Sequence, residues 1–315
     1  MEGFLLSIVI PMYYEEAVAG ECYKRLTLEM EKNEQDYELI FINDGSKDNT
    51  QAILEEIALK DNRVKVINFA RNFGHQAAVT AGVEMAHGDA IVIIDADLQD
   101  PPELIKDMIV LWKQGYEVVY AKRKKREGET WIKLFTAKYF YKFLNLMSDI
   151  DIPSDTGDFR LIDRKVADAF LAMPEKNRFI RGMISWIGYN QIAIEYVRNE
   201  RFAGETKYPF KKMIKFATDG IIGFSNKPLK IITHLGILSV ALSFVVLIYS
   251  LIIKIASGNV ERGWTSIMVA ITFFSGVQML SLGVVGEYIS RMNDEIKGRP
   301  LYIIKSKMNI EDNLK

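Results

Sequence analysis

The chain predicts an α/β protein: a doubly wound, mostly parallel sheet, followed by an amphipathic interfacial helix and a two-helix transmembrane hairpin. Three observations carry this. From Met1 to Arg201, short apolar runs and longer amphipathic runs alternate strictly, the pattern of a sheet wound with helices on both faces. From Ile231 to Ile253 there are 23 residues, and from Gly263 to Gly286 another 24, without Lys, Arg, Asp or Glu. Each run, at about 1.5 Å per residue, is long enough to cross roughly 30 Å of hydrocarbon. Finally, the five apolar residues Ala90–Ile94 lead straight into Asp95-Ala96-Asp97 and then Pro101-Pro102, which reads as a strand buried on both faces whose end carries carboxylates.

In chain order the expected elements are strand Ser7–Pro11, helix Glu15–Asn33, strand Tyr37–Asn43, helix Asp48–Lys60, strand Val64–Phe69, helix Gln76–Ala86, strand Ala90–Asp95, helix Pro102–Gln114 and strand Glu117–Ala121. Beyond them, Tyr208–Phe224 mixes Phe210, Ile214, Phe216, Ile221 and Ile222 with Lys211, Lys212 and Lys215. Such a helix suits the headgroup layer, lysines toward phosphate, and equally a solvated surface; its place beside a span favours the membrane. The turn Lys254–Arg262 carries two cations and one acid, whereas Lys207 to Lys230 and Arg291 to Lys307 are rich in lysine and arginine. The positive-inside rule then puts both flanks in the cytoplasm. The chain accordingly divides into a cytoplasmic domain (1–206), a juxtamembrane amphipathic segment (207–230), two transmembrane helices within 231–287 (about 231–253 and 264–286) and a cytoplasmic C-terminal tail (288–315). The expected location is the inner (plasma) membrane, multi-pass, with the large domain and both termini cytoplasmic. A pair of buried helices in a soluble protein is the competing reading of the apolar runs.

Composition narrows the function. A formal charge of -1 over 315 residues gives no basic excess, so nucleic acid is not an expected partner. Cys22 is the only cysteine, which excludes disulfide scaffolds and Cys-based zinc sites. His75, His87 and His234 are too scattered for a histidine metal site, and packing is the expected role of His75. No G-x-G-x-x-G or G-x-x-x-x-G-K-[ST] occurs, which argues against dinucleotide and P-loop chemistry.

Ligands of open α/β sheets collect outside the carboxyl ends of the strands. Asp95, Asp97 and the Gln99 carbonyl oxygen at one such end make a hard oxygen site for Mg²⁺ or Mn²⁺ bridging phosphates; Asp97 and Asp100 could instead cap the following helix. After the first strand stand Pro11, Tyr13 and Glu15, and after the second Asp44-Gly45-Ser46. An Asp, an aromatic and a Gly there describe a nucleoside pocket, although Asp-Gly-Ser is also ordinary turn chemistry. Arg123, Arg126 and Lys133 begin a basic stretch interleaved with Trp131, Phe135, Tyr139 and Phe140. It suits a lipid phosphate or a solvated charged face.

Together, Ile8–Glu16, Phe41–Thr50, Asn68–Gln76, Asp95-Ala96-Asp97, Thr156–Leu161 and Gly204–Tyr208, followed by two spans, resemble the family-2 glycosyltransferases that load a sugar onto a polyprenyl phosphate. The likeness is to the bactoprenol glucosyltransferases and, more distantly, to the dolichyl-phosphate mannose synthases, and it covers nearly the whole chain. It implies a glycosyltransferase-A type nucleotide-sugar fold. It also implies inverting transfer of a hexose to undecaprenyl phosphate, with UDP-glucose the first expected donor and UDP-N-acetylglucosamine the second. By the same resemblance Pro11, Tyr13, Glu15 and Asp44 hold the uridine, with Ala96 beside them, and Asp95, Asp97 and Gln99 hold the divalent ion. Arg201 and Lys207 close over the donor phosphates, and Asp158 occupies the acceptor-side carboxylate position. The catalytic set is then Asp158, Asp97 and Arg201. The family usually has Asn where this chain has Tyr14. Because the acceptor is already an anion, Asp158 is expected to orient it more than deprotonate it, a pair with Arg160 being the purely structural alternative. A processive polysaccharide synthase would carry Gln-x-x-Arg-Trp, which is absent; a non-catalytic nucleotide-sugar-binding subunit would be expected to lack one of the carboxylates. Gly276, Ser281, Gly283 and Gly286 would let spans pack closely in a homo-oligomer.

Overall fold

The computed structural model describes residues 3–33, 35–124, 156–197, 223, 225–257 and 263–310. The predicted alternation forms as β1 (Leu5–Met12), α1 (Ala19–Lys32), β2 (Asp36–Asn43), α2 (Thr50–Lys60), β3 (Val64–Phe69), α3 (His75–Met85), β4 (Ala90–Ile93), α4 (Leu104–Lys113) and β5 (Val118–Arg123). After β5 the described elements are β6 (Thr156–Asp163), α5 (Arg164–Ala172), α6 (Ile180–Ile187), β7 (Gln191–Tyr196), α7 (Lys227–Ser257), α8 (Trp264–Ile296) and β8 (Ile304–Met308).

These strands form one sheet in the order β7-β5-β6-β4-β1-β2-β3-β8. Parallel pairing joins β1 to β2 and β4, β2 to β3, and β5 to β7, so the sheet is mostly parallel as predicted. The central strands are apolar on both faces because both faces are covered. On one face Leu6, Ile8 and Ile10 of β1 pack with Cys22, Leu26 and Met30 of α1, Leu54 of α2 and Met108 of α4. On the other, Val9 meets Val79 and Val83 of α3, with Val166 and Phe170 of α5 and Met183 of α6 beyond. In α1 the buried positions Ala19, Cys22, Leu26 and Met30 recur every three or four residues, which is the stripe that presses a helix onto a sheet.

Two strands run against the rest. β6 inserts between β4 and β5 and is antiparallel to both, and β8, from the expected tail, pairs antiparallel with β3. Residues 304–308 are therefore part of the sheet, which closes only with chain from beyond the hairpin. Lys176 N donates to Glu295 Oε1 at 2.6 Å, tying the last turns of α8 to the loop after α5.

α7 and α8 touch one another. Among the described residues, Lys227–Val246 is long and apolar enough to cross a membrane, with mean hydropathy 2.0 and none of it buried. Residues 207–222 and 224 of the expected amphipathic segment lie outside the described residues, as do Gly258 to Arg262 of the turn.

Candidate active site

Strand order reverses about β1: β2 and β3 lie on one side and β4 on the other. A crevice opens at the strand ends of such a switch point, and it receives three loops. Tyr13–Glu16 follows β1, Asp44–Asn49 follows β2 and Asp95–Asp100 follows β4.

The first two loops are stitched together. Tyr14 N donates to Ser46 Oγ at 3.0 Å, Glu15 N to Thr50 Oγ1 at 3.0 Å and Asn49 N to Glu16 Oε2 at 2.9 Å. Glu15 O accepts from Val18 N at 3.0 Å and Ala19 N at 2.9 Å, so a turn leads into α1, which begins at Ala19 instead of Glu15. Tyr14 has φ 56, in the left-handed region where Asn is enriched and Tyr is uncommon. A backbone need is thus enough to account for the family's Asn at this position. Gly45 is also left-handed, at φ +69, and a Cβ there would lie 2.4 Å from the Arg71 carbonyl carbon, so only glycine fits. Around it is a cavity of about 490 Å³ lined by Tyr13, Gly45, Ser46, Gln51, Arg71 and Lys305 among others.

Pro11 is buried within β1. Asp44, also expected at the uridine, is 3% exposed and turned into the protein. Its carboxylate accepts from Phe73 N at 2.6 Å, Gly74 N at 2.9 Å and Asn72 Nδ2 at 2.8 Å. Burial raises its pKa, against the lowering by those backbone donors. It organises the wall of the pocket, while Tyr13, 40% exposed, presents an open ring.

At the β4 end exposure alternates: Asp95, Asp97 and Gln99 are half-buried, whereas Ala96, Leu98 and Asp100 are buried. The three residues expected to hold a metal are thus the accessible ones of the loop. The capping alternative is not realised, since α4 has no side-chain cap and the Asp100 carboxylate takes the Tyr196 hydroxyl. Arg123 Nε lies 3.4 Å from that hydroxyl, and a Cβ at Gly157 would lie 3.0 Å from Arg123 Nη2. Its expected partners Arg126 and Lys133 are outside the described residues, as are Arg201, Lys207, Trp131, Phe135, Tyr139 and Phe140.

Antiparallel β6 brings the second acid. Ile93 pairs with Arg160, and running that register two residues on puts Asp95 level with Asp158. Asp158 is 6% exposed and is held by Arg181 Nε at 2.7 Å and His75 Nε2 at 3.0 Å. Burial works against its charge, but Arg181 and His75 prevail and keep the carboxyl well below the usual range. The sequence alternative of an Asp158–Arg160 pair is corrected: Arg160 bonds the Gly157 and Asp158 carbonyls. His75 is likewise more than packing, lying 3.8 Å from Asp95 as well. Burial would lower its pKa, yet the Asp158 hydrogen bond and the Asp95 and Asp158 charges raise it to about 9. Asp95 is pushed up to about 6 by burial, with Asp158, Asp100 and Asp97 adding and His75 opposing. His75 was legible only as the residue opening a helix at the same sheet edge, and Arg181 carried no signal, because α6 reaches the site only through packing.

No group of three or more His, Cys, Asp or Glu suited to a metal stands among the described residues. Two partly accessible carboxylates, Asp95 and Asp97, crowded by Asp100 and Asp158, nonetheless fit a hard divalent ion that takes its other ligands from phosphate and water.

The glycosyl transferase family 2 profile matches residues 7–171, and the GtrB C-terminal hairpin profile matches residues 227–292. The chain is 56% identical to the uncharacterized glycosyltransferase YkcC of Bacillus subtilis, over 97% of its length and 95% of the relative's. It is 42% identical to the prophage bactoprenol glucosyl transferase homolog of Escherichia coli, over 95% and 98% respectively. Among solved structures, mannosyl-3-phosphoglycerate synthase from Rubrobacter xylanophilus superposes with a TM-score of 0.50 at 16% identity, covering 69% of this chain and 71% of that one, a likeness of fold. With two profiles in chain order and relatives aligned almost end to end, the chain belongs to glycosyl transferase family 2, joined to a GtrB-type C-terminal hairpin, and is a glycosyltransferase.

Proposed function

We propose that the protein transfers a hexose, glucose first, from a UDP-sugar to undecaprenyl phosphate at the cytoplasmic face of the plasma membrane, with inversion at the anomeric carbon. The observation that carries this reading is the meeting of Asp95 and Asp158 at His75 Nε2, at 3.8 and 3.0 Å, in a chain whose relatives include proteins named bactoprenol glucosyl transferase. Tyr13 and the cavity beside it receive the nucleoside, and Asp95, Asp97 and Gln99 would hold Mg²⁺ or Mn²⁺. A divalent ion bound there neutralises charge developing on the departing UDP. A phosphate oxygen of the acceptor bonds to the anomeric carbon as the bond to UDP breaks. Arg201 and Lys207 meet the donor phosphates, and Arg123, Arg126 and Lys133 meet the acceptor phosphate.

Asp158, ion-paired and of low pKa, is a poor general base, and the acceptor needs little proton removal. Orienting His75 and Arg181 beside the acceptor is its role. The hairpin α7–α8 crosses the bilayer twice with both flanks cytoplasmic, which suits an acceptor confined to the membrane.

Purified protein, undecaprenyl phosphate and a panel of labelled UDP-sugars test the reading. One donor is expected to give lipid-linked product, lost in chelator and reduced about 100-fold or more in Asp97→Ala. Turnover unchanged by chelator and by that substitution would refute the metal assignment, and no lipid product from any donor would refute the acceptor.

A further inference from the structure

We propose that Lys305 binds the donor nucleotide, so that the strand after the hairpin is a working part of the donor site. The inference deepens the donor reading above and rests on it.

Lys305 sits at an irregularity. Asn68 pairs with Ser306 but Phe69 pairs with Ile304, so Lys305 is the extra residue of a β-bulge. Bulges re-aim a side chain and recur beside active sites, and here Lys305 lines the cavity of about 490 Å³ that also takes in Tyr13 and Gly45. Lys47 and Arg71 line it too. Among the described residues none of these three cations has a carboxylate within ion-pair distance. Three such cations around one cavity attract a polyanion, and a nucleoside diphosphate is the polyanion that the Tyr13 ring would also recognise.

The strand is fastened so that Lys305 stays in place. Ala70 N donates to Ile303 O at 2.9 Å, Tyr302 stacks on Phe69 with centroids 4.9 Å apart, and Asn309 Nδ2 lies 2.8 Å from both Ala58 O and Val64 O. A polar ladder, buried at its Asn43–Asn68 rung, then runs from β8 to the loop after β2. Asn68 Nδ2 donates to Ser306 Oγ at 3.1 Å, Asn43 Nδ2 to Asn68 Oδ1 at 3.0 Å and Ser46 N to Asn43 Oδ1 at 3.0 Å.

The test uses full-length protein in detergent, with UDP and Mn²⁺ titrated by calorimetry and turnover measured in parallel. Lys305→Met is expected to weaken UDP binding about tenfold and to raise donor KM alike with kcat nearly unchanged, the mark of binding shared by ground and transition states. Lys305→Arg should restore most of the affinity, and the deficit should shrink at high salt, which a merely structural role for the bulge would not produce. Unchanged UDP affinity in Lys305→Met, while the wild type binds UDP and Asp97→Ala fails to turn over, overturns the inference and leaves the transfer reading standing. A wild-type protein that binds no UDP removes both.

Discussion

At the scale of single residues the site is a balance of charge. His75 is held by Asp158 at 3.0 Å and faces Asp95 at 3.8 Å, and its folded pKa of about 9 exceeds the ordinary imidazole value of 6.5. A group whose pKa rises on folding stabilises fully below its unfolded value and loses that contribution as pH climbs through the folded one. The thermal midpoint of the metal-free protein should therefore fall between pH 7 and 9.5, and in His75→Gln that part of the fall should vanish. A fluorescence melt at each pH checks this. Asp95, at about 6, takes up a proton below that pH and then competes with a cation. Apparent Mn²⁺ affinity in the presence of UDP should drop up to about tenfold per unit below pH 6, while an affinity flat from pH 5 to 7 would mean that Asp95 is no ligand.

At the scale of elements, the informative pieces are those that break the alternation. β6 is antiparallel, which is why Asp158 faces Asp95 instead of standing at the opposite edge of the sheet. The loop after β2 depends on Gly45. With φ +69 and a Cβ position 2.4 Å from backbone, Gly45→Ala must displace the Arg71-Asn72 chain, and a destabilisation of about 2 kcal/mol is expected. Denaturant unfolding should show it together with loss of UDP binding. α3 approaches β1 and β2 just as closely at Gly82, where a Cβ would meet Val9 Cγ1 at 2.3 Å. Gly82→Ala should cost about 1–3 kcal/mol by overpacking, with donor KM changed far less than in Gly45→Ala because the site loops are not touched.

At the scale of the whole molecule, the long apolar helix α7 is exposed along its length, while the strand that follows α8 completes the sheet. Ile237, Val245 and Ile248 on α7 are 64%, 64% and 54% exposed, an arrangement that suits hydrocarbon far better than water. Topology is testable because Cys22 is 1% exposed and its thiol is pushed by burial to about 12, so it should be silent to maleimide. In intact cells Ser257→Cys should react with an impermeant maleimide, whereas a cysteine at Lys176 should react only after lysis. The reverse pattern would invert the proposed orientation.

The sequence by itself determined the parallel half of the sheet, the β4 carboxylates and the long apolar runs, because each is written locally in periodicity, turn residues or unbroken hydropathy. Only the tertiary structure decided that Asp158 opposes Asp95, that Arg181 and His75 hold it, that Asp44 turns inward and that Lys305 lines one cavity with Tyr13 and Gly45. Those outcomes depend on strand order, register and one bulge, which arise from contacts such as Asn68 with Ser306 between residues far apart in the chain. No local pattern records them.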